Sequence, residues 1–344
     1  MMRYKRLGDS GLRVSELALG TMTFGTDWGW GADKATSRQI FDAYVAAGGN
    51  FIDTSNNYTN GASETFVGEF IAEARDQFVV ATKYTLRLET GNARNFNEGG
   101  NSRKSMVRSV ENSLRRLNTD YIDLLYLHMW DFMTPVAEVM RAMDDLVRAG
   151  KVLYVAFSDS PAWVITYALG LAERYGWSRP VAVQLPYSFA SRDPERDLLP
   201  MARTFGLTVA AWGILSGGAF TGKYNTANDE PKRYANASEK AKRVAVALQA
   251  VAAEIGRSPA QVAVNWVRQQ PGVIPILGAR TLAQMEDNLG ALEFTLTAAQ
   301  LASLAQTEPF DVGFPLRFLT DEHVRGLIFG DTFAHIDHPQ SVVG

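Results

Sequence analysis

Four side chains of this sequence, Asp53, Tyr58, Lys83 and His128, make a set suited to acid–base chemistry at an oxygen atom. A tyrosine with an ordinary pKa near ~10 is a weak proton donor at neutral pH. An ammonium beside it favours the phenolate, so Lys83 next to Tyr58 is expected to lower that value and give a usable general acid. A lysine in a dry site needs a counter-charge, which Asp53 can supply. His128 can donate a hydrogen bond to a carbonyl oxygen and orient it. None of the four is a hydride source, so the electrons must come from a bound redox cofactor.

These residues need elements that bring them together, and the chain shows a regular alternation. Short β-branched or aromatic runs lie at Leu17–Gly20, Phe51–Thr54, Phe78–Lys83, Tyr121–His128, Lys151–Phe157, Val181–Leu185, Leu207–Trp212 and Val273–Leu277. Helical patterns follow them near 34–48, from Ser63, at 102–117 with Ser102 as N-cap, and at 136–149 before Gly150. Further patterns lie at 162–175, 194–205, 239–255 and 282–291. Eight strand–helix units imply parallel pairing through right-handed crossovers and close most economically into a (β/α)8 TIM barrel. An open doubly wound sheet usually carries a Gly-rich fingerprint after its first strand, and here that turn reads GTMTFG. Residues 4–16 read as an N-terminal hairpin turning at Asp9-Ser10-Gly11, residues 17–308 as the barrel, and 309–344 as a tail, all in one domain over 1–344. A capping helix near 297–306 precedes the tail, which runs on irregularly from Pro309. Its Phe310, Phe314 and Phe318 either pack on the barrel or line the substrate mouth.

Catalytic groups in such a barrel sit at the C-terminal strand ends. Asp53, Lys83 and His128 all fall there, with Tyr58 in the loop after Asp53. Ser158-Asp159, Gln184, Trp212 and Gly278-Ala279-Arg280 end the later strands. A titratable residue ending one apolar strand is usually a surface charge or a satisfied core group, but four converging on one rim point to a site.

Composition removes competing classes. The 344 residues carry 34 Lys+Arg against 37 Asp+Glu, a net charge of −3, with no block of like charge to favour nucleic acid or a membrane surface. Cysteine is absent, which excludes thiol nucleophiles and cysteine-held metals. No metal site is expected. His335-Ile-Asp-His338 offers two ligands without a third, and Gly217-x-x-x-x-Gly222-Lys223 lacks the Ser or Thr that a phosphate-binding P-loop needs. Gly8-Asp9-Ser10-Gly11 mimics a protease string but lies in the hairpin turn. With no signal peptide and no long apolar run, the expectation is a soluble, cytoplasmic protein acting on a small molecule.

The string Asn50-Phe-Ile-Asp-Thr-Ser-Asn-Asn-Tyr58 with Gly61-Ala-Ser-Glu64 resembles the signature of the aldo-keto reductases. So do Val79–Lys83, Leu124–His128 and Ile276–Arg280 through Asn288; the likeness runs from about 4 to 308. Val152–Trp163 and Glu195–Arg203 resemble the aryl-alcohol-dehydrogenase-like branch. The resemblance implies an NADPH-dependent reductase of aldehydes or ketones, with Asp53, Tyr58, Lys83 and His128 as catalytic tetrad and Tyr58 as proton donor. By the same resemblance, Gly20, Thr21 and Met22 run along the nicotinamide end of NADP(H), Ser158, Asp159 and Gln184 hold its carboxamide, and Trp212 stacks on its ring. Asp159 departs from the family's usual Asn, which implies altered contacts there. Gly213, Leu215, Gly217 and Lys223 would wrap the pyrophosphate, and Gly278, Arg280, Gln284, Asp287 and Asn288 the adenosine end. A guanidinium at Arg280 can pair bidentately with a 2′-phosphate, which favours NADP over NAD. Phe24, Trp28, Trp30 and Trp130, in the loops after the first and fourth strands, would line the substrate mouth, favouring aromatic or apolar carbonyl compounds. The 85–101 loop, with Arg87 and Arg94, is long enough for a flap. Two other readings share the resemblance: a cofactor-binding regulatory subunit like the potassium-channel beta subunits, and a reductase of a larger sugar or natural product.

Overall fold

The computed structural model describes residues 1–88, 94–225 and 236–336. A two-stranded antiparallel hairpin comes first, β1 (Tyr4–Arg6) and β2 (Arg13–Ser15). Eight parallel strands follow: β3 (Ala18–Gly20), β4 (Phe51–Asp53), β5 (Val79–Tyr84), β6 (Ile122–Leu127), β7 (Val152–Ser158), β8 (Pro180–Pro186), β9 (Thr208–Trp212) and β10 (Val273–Leu277). They close into a barrel in sequence order, with β10 pairing β3 through Ile276↔Ala18 and Leu277↔Leu19. The expected (β/α)8 architecture is the observed one.

Alternation along each strand sorts its side chains. Ala81, Leu124, Ala156, Ala182 and Ala210 point into the barrel and form one buried cluster. Val80, Leu125, Val155, Val183 and Val209 point outward and join the larger core under the helices. This period of two puts small residues in the narrow interior and branched ones against the helical ring.

The ring comprises α1 (Lys34–Ala46), α2 (Ala62–Ile71), α3 (Arg103–Leu117), α4 (Val136–Arg148), α5 (Ala162–Tyr175), α6 (Leu198–Thr204), α7 (Glu239–Ile255), α8 (Pro259–Arg268) and α9 (Leu282–Leu289). Their limits follow local chemistry. Ser102 caps α3 by accepting from the Ser105 amide, and Asn118 ends it in the left-handed region at φ 50°. The pattern over 194–205 resolves into a 3₁₀ turn and the shorter α6, separated at Asp197. Sequence reasoning missed α8, although Ser258 and Gln261 form a reciprocal capping box with Pro259 at the first turn.

The hairpin plugs the N-terminal end of the barrel. Leu7 and Val14 belong to the interior cluster. Gly8 N donates to Thr208 Oγ1 at 2.7 Å, and Lys5 Nζ to the Val273 carbonyl at 2.9 Å. Gly8 sits at φ +56°, and a Cβ there would lie 2.1 Å from the Val181 carbonyl oxygen, so only glycine fits.

After α10 (Ala298–Thr307) the tail is not irregular throughout: it forms α11 (Leu316–Leu319) and α12 (Glu322–Phe329). The guanidiniums of Arg192 and Arg196 lie 5.0 and 4.8 Å from the Phe310 ring centroid, which seats that ring beside the turn before α6. Phe314 and Phe318 are exposed. Among the described residues, no helix is long and apolar enough to cross a membrane.

Candidate active site

Asp53 closes β4, Lys83 stands one residue before the end of β5, and His128 follows β6 directly. Adjacent parallel strands therefore bring three of the four groups to one rim. Tyr58 reaches them from a turn in which Thr59 and Asn60 both adopt positive φ, 45° and 55°. Such backbone costs of order 1–3 kcal/mol per residue and persists only where its surroundings hold it. Here the Thr59 hydroxyl donates to the Phe24 carbonyl at 2.5 Å.

Lys83 Nζ is fully buried and donates to Asp53 Oδ2 at 2.8 Å, to the Thr54 carbonyl at 2.8 Å and to Tyr58 OH at 3.1 Å. All three ammonium donors are thereby satisfied. Gln184 Nε2 takes the other Asp53 oxygen, Oδ1, at 2.7 Å. The His128 ring meets the Tyr58 ring edge-on with centroids 5.9 Å apart, and its Nδ1 lies 3.1 Å from Ser55 Oγ.

Burial is the largest influence on each proton. It raises the Tyr58 phenol, and the Lys83 charge offsets this only in part, so the net direction is upward. That corrects the expectation of a lowered tyrosine: the sequence showed the ammonium but not the desolvation. Burial pulls Lys83 down, but Asp53 and Tyr58 outweigh it and keep the ammonium charged. His128 is held well below its ordinary value by burial and then by the Lys83 charge, so its imidazole is neutral.

These groups open onto a cavity of about 1230 Å³. Asp53, Tyr58 and His128 line it, with Lys83 enclosed behind them. Gly20, Met22, Asp159, Gln184 and Trp212 form its inner wall. Gly213, Leu215, Gly217 and Lys223, and then Gly278, Arg280, Gln284, Asp287 and Asn288, continue it outward. Asp159 Oδ1 accepts from Trp212 Nε1 at 3.2 Å, which fixes the indole at the cavity edge. Arg280 N donates to Gln284 Oε1 at 2.9 Å, and Asn288 Nδ2 to the Gly278 carbonyl at 3.3 Å.

The residues present fit a nicotinamide dinucleotide. Asp159 and Gln184 line the cavity, whereas Ser158, expected beside them, is buried at the end of β7 behind that wall, its Oγ without a hydrogen-bond partner among the described residues. Gly217 and Gly218 hold left-handed φ of 63° and 86° in the turn after β9, so backbone rather than side chain faces the cavity there. Lys223, Lys240 and Arg280 supply cationic side chains to the same wall.

Some expected contacts are placed elsewhere. Thr21 is fully buried behind the wall, where its hydroxyl donates to the Asp53 carbonyl at 3.0 Å. Phe24 is also fully buried, its ring edge-on to Phe70 at 6.2 Å, so it belongs to the core and not to the mouth. Trp130 likewise packs into the core. Trp28 and Trp30 do line the cavity; their rings lie 5.8 Å apart, and Trp28 stands 6.4 Å from Tyr58. None of Phe310, Phe314 and Phe318 lines it. Leu86 does, at the start of the 85–101 loop, whose ends are joined by Gly100 N donating to the Thr85 carbonyl at 2.8 Å. The middle of that loop, 89–93, and His338 lie outside the described residues.

Sequence reasoning did not single out Ser55, Asn57 and Lys240. Asn57 and Lys240 line the cavity, and Ser55 is buried against His128. Lys240 had one signal, its place in the first turn of a helix that follows Ser238 as N-cap.

Comparison with known proteins bears on this arrangement. Residues 16–308 match the model of the Aldo/keto reductase family. A norsolorinic acid reductase of Aspergillus flavus is 39% identical over 329 residues, covering 93% of this chain and 84% of that protein. An aryl-alcohol dehydrogenase [NADP(+)] of Phanerodontia chrysosporium is 38% identical over 359 residues, covering 96% and 89%. A putative aryl-alcohol dehydrogenase of Saccharomyces cerevisiae is 38% identical over 333 residues, covering 91% and 88%.

Proposed function

Because the chain belongs to the aldo/keto reductase family and is an oxidoreductase of carbonyl and alcohol groups, we infer that it reduces aldehydes or ketones with NADP(H), Tyr58 giving the proton. One observation carries the reading: Tyr58 OH stands on the cavity floor 3.1 Å from a buried, charged Lys83. A bound nicotinamide dinucleotide supplies the hydride. Everything else falls to the chain's own groups.

As negative charge develops on the carbonyl oxygen, Tyr58 delivers its proton there. The phenolate left behind is stabilised by the Lys83 ammonium in a site where water screens little. Asp53 balances Lys83 before and after the transfer, and its two oxygens, held by Lys83 and Gln184, fix the ammonium's position. His128, a neutral imidazole on the cavity wall with Nδ1 turned to Ser55, orients the oxygen to be protonated. In the reverse direction Tyr58, as phenolate, receives the alcohol proton.

Trp28 and Trp30 beside Tyr58 favour flat aromatic carbonyl compounds, which stack on indole faces. The names of the relatives, an aryl-alcohol dehydrogenase and reductases of norsolorinic acid, agree with that class. Arg280 supports NADP(H) over NAD(H) through a guanidinium suited to a 2′-phosphate. The test is cofactor oxidation over a panel of aromatic, aliphatic and sugar carbonyls, run with NADPH and with NADH. Aromatic aldehydes should be turned over fastest, with NADPH preferred. Tight NADPH binding without turnover of any of them would leave the regulatory-subunit reading in its place.

A further inference from the structure

Ser55 Oγ is fully buried and has one proton, yet three acceptors stand within reach. Asn57 Oδ1 lies at 2.8 Å, His128 Nδ1 at 3.1 Å and Asn56 Oδ1 at 3.3 Å. Asn56 Oδ1 is the farthest of the three, its amide oriented by Nδ2 donating to the Leu86 carbonyl at 2.8 Å. The nearest acceptor, Asn57 Oδ1, is therefore the one that takes the hydroxyl proton. With that proton spent, the close approach of Ser55 Oγ to His128 Nδ1 is a hydrogen bond only if Nδ1 carries a proton and donates it. A neutral imidazole has a single N–H, so Nε2 is then bare. The three side chains form a directed chain, His128 to Ser55 to Asn57.

The direction can reverse without moving any heavy atom far. The Asn57 amide lines the cavity, and among the described residues Ser55 is the side-chain partner that it meets. Turned over, the amide presents Nδ2–H to Ser55 Oγ, the hydroxyl swings to Nδ1, and the proton of the ring belongs on Nε2. Both directions satisfy every group, and networks of this kind are polarised as a unit. Only the second can donate to a carbonyl oxygen.

We propose that Ser55 and Asn57 are positioning residues that set which nitrogen of His128 bears the proton, Nδ1 in the free protein and Nε2 when Asn57 turns over. This rests on the reading above in one respect, that the Nε2 proton serves the carbonyl. The proton moves between the ring nitrogens by exchange with water in the open cavity, and no redox change is involved.

The experiment uses the full chain labelled with [15N]histidine, free of cofactor and substrate. The chain has four histidines, so the His128 ring signals are assignable with a His128→Gln control. Protonated and bare ring nitrogens resonate far apart, which reads the tautomer directly. The wild-type protein should show the proton on Nδ1. Asn57→Ala removes the nearer acceptor and should move it to Nε2. Ser55→Ala removes the partner of Nδ1 and should give a mixture. Asn57→Ala should also improve kcat/KM for a carbonyl substrate about three- to tenfold, the scale of one neutral hydrogen bond, and Ser55→Ala, with its mixed tautomers, should improve it by a smaller factor with NADPH affinity unchanged.

A wild-type Nε2–H form, or a tautomer indifferent to Asn57→Ala, overturns the proposal. Asn57→Ala decides the matter even if Ser55→Ala does not fold. Tautomers that move as stated while carbonyl kinetics stay fixed uphold the chain and instead remove His128 from the reaction, which is a failure of the functional reading alone.

Discussion

Gln184 donates its amide N–H to Asp53 across the barrel mouth at 2.7 Å, joining β8 to β4 through their side chains. The expected role of Gln184 was toward a cofactor amide, yet one N–H of its Nε2 is taken by the carboxylate that anchors Lys83. Replacing Gln184 with Leu should therefore strand a buried carboxylate oxygen and cost about 1–3 kcal/mol of stability. Urea denaturation of the two proteins measures this, and equal midpoints and slopes would show the bond to be inert.

Tyr58→Phe removes one oxygen and keeps the ring between Trp28 and His128. Carbonyl reduction should fall by about 10²–10⁴, the usual range for losing a positioned general acid. NADPH affinity, followed by tryptophan fluorescence, should not change. Retained turnover would take the proton-donor role from Tyr58.

Asp53→Ala leaves the Lys83 ammonium buried without its carboxylate. Breaking a buried pair in this way costs about 3–5 kcal/mol, so the variant should melt well below the wild type. A double variant, Asp53→Ala with Lys83→Met, should recover much of that stability without recovering activity. Failure of the second change to restore stability would mean that the charge is not what the carboxylate balances.

His128 gives stability a pH dependence of known sign. Burial and the Lys83 charge depress its folded-state value well below the ordinary one, so the unfolded chain binds the proton more readily. Its contribution is present above the unfolded value of about 6.5 and is lost as the pH falls from there toward the depressed folded value. His128→Gln should flatten the stability profile across that window. Parallel profiles for the two proteins would contradict a neutral, buried imidazole.

Arg280→Ala should weaken NADPH roughly 10- to 100-fold, the worth of a charge-assisted hydrogen bond, while NADH binding changes little. Equal losses for the two cofactors would exclude a 2′-phosphate at this position.

How far the sequence could be read depended on what decided each feature. Strand order, helix order and the rim positions of Asp53, Lys83 and His128 follow from local periodicity and caps, which are written in consecutive residues. Ser102 and Gly150 marked helix limits that the fold keeps. The direction in which a loop aromatic points is not local. Phe24 and Trp28 sit four residues apart in the same loop, and tertiary packing sends one to the core and the other to the cavity. The balance at Tyr58 was hidden for a related reason. Its ammonium partner was legible from residue type, but the burial that outweighs it exists only once the barrel has closed. The Ser55 contact with His128 joins residues 73 apart in the chain, and no spacing rule announces it.

The plug has a consequence for how the protein comes into being. Lys5 binds the carbonyl of Val273, 268 residues away, and β3 finds its second neighbour only in β10. At ~5–20 residues per second a ribosome needs on the order of 15–50 s to deliver that partner. Throughout this interval the first strands expose an unpaired edge, and contacts of such long separation are slow to form even afterward. Every product of premature termination before β10 should be devoid of activity and prone to aggregate, because the rim exists only as a ring. The last strand is thus a checkpoint in synthesis, at which the ring that carries the rim first closes.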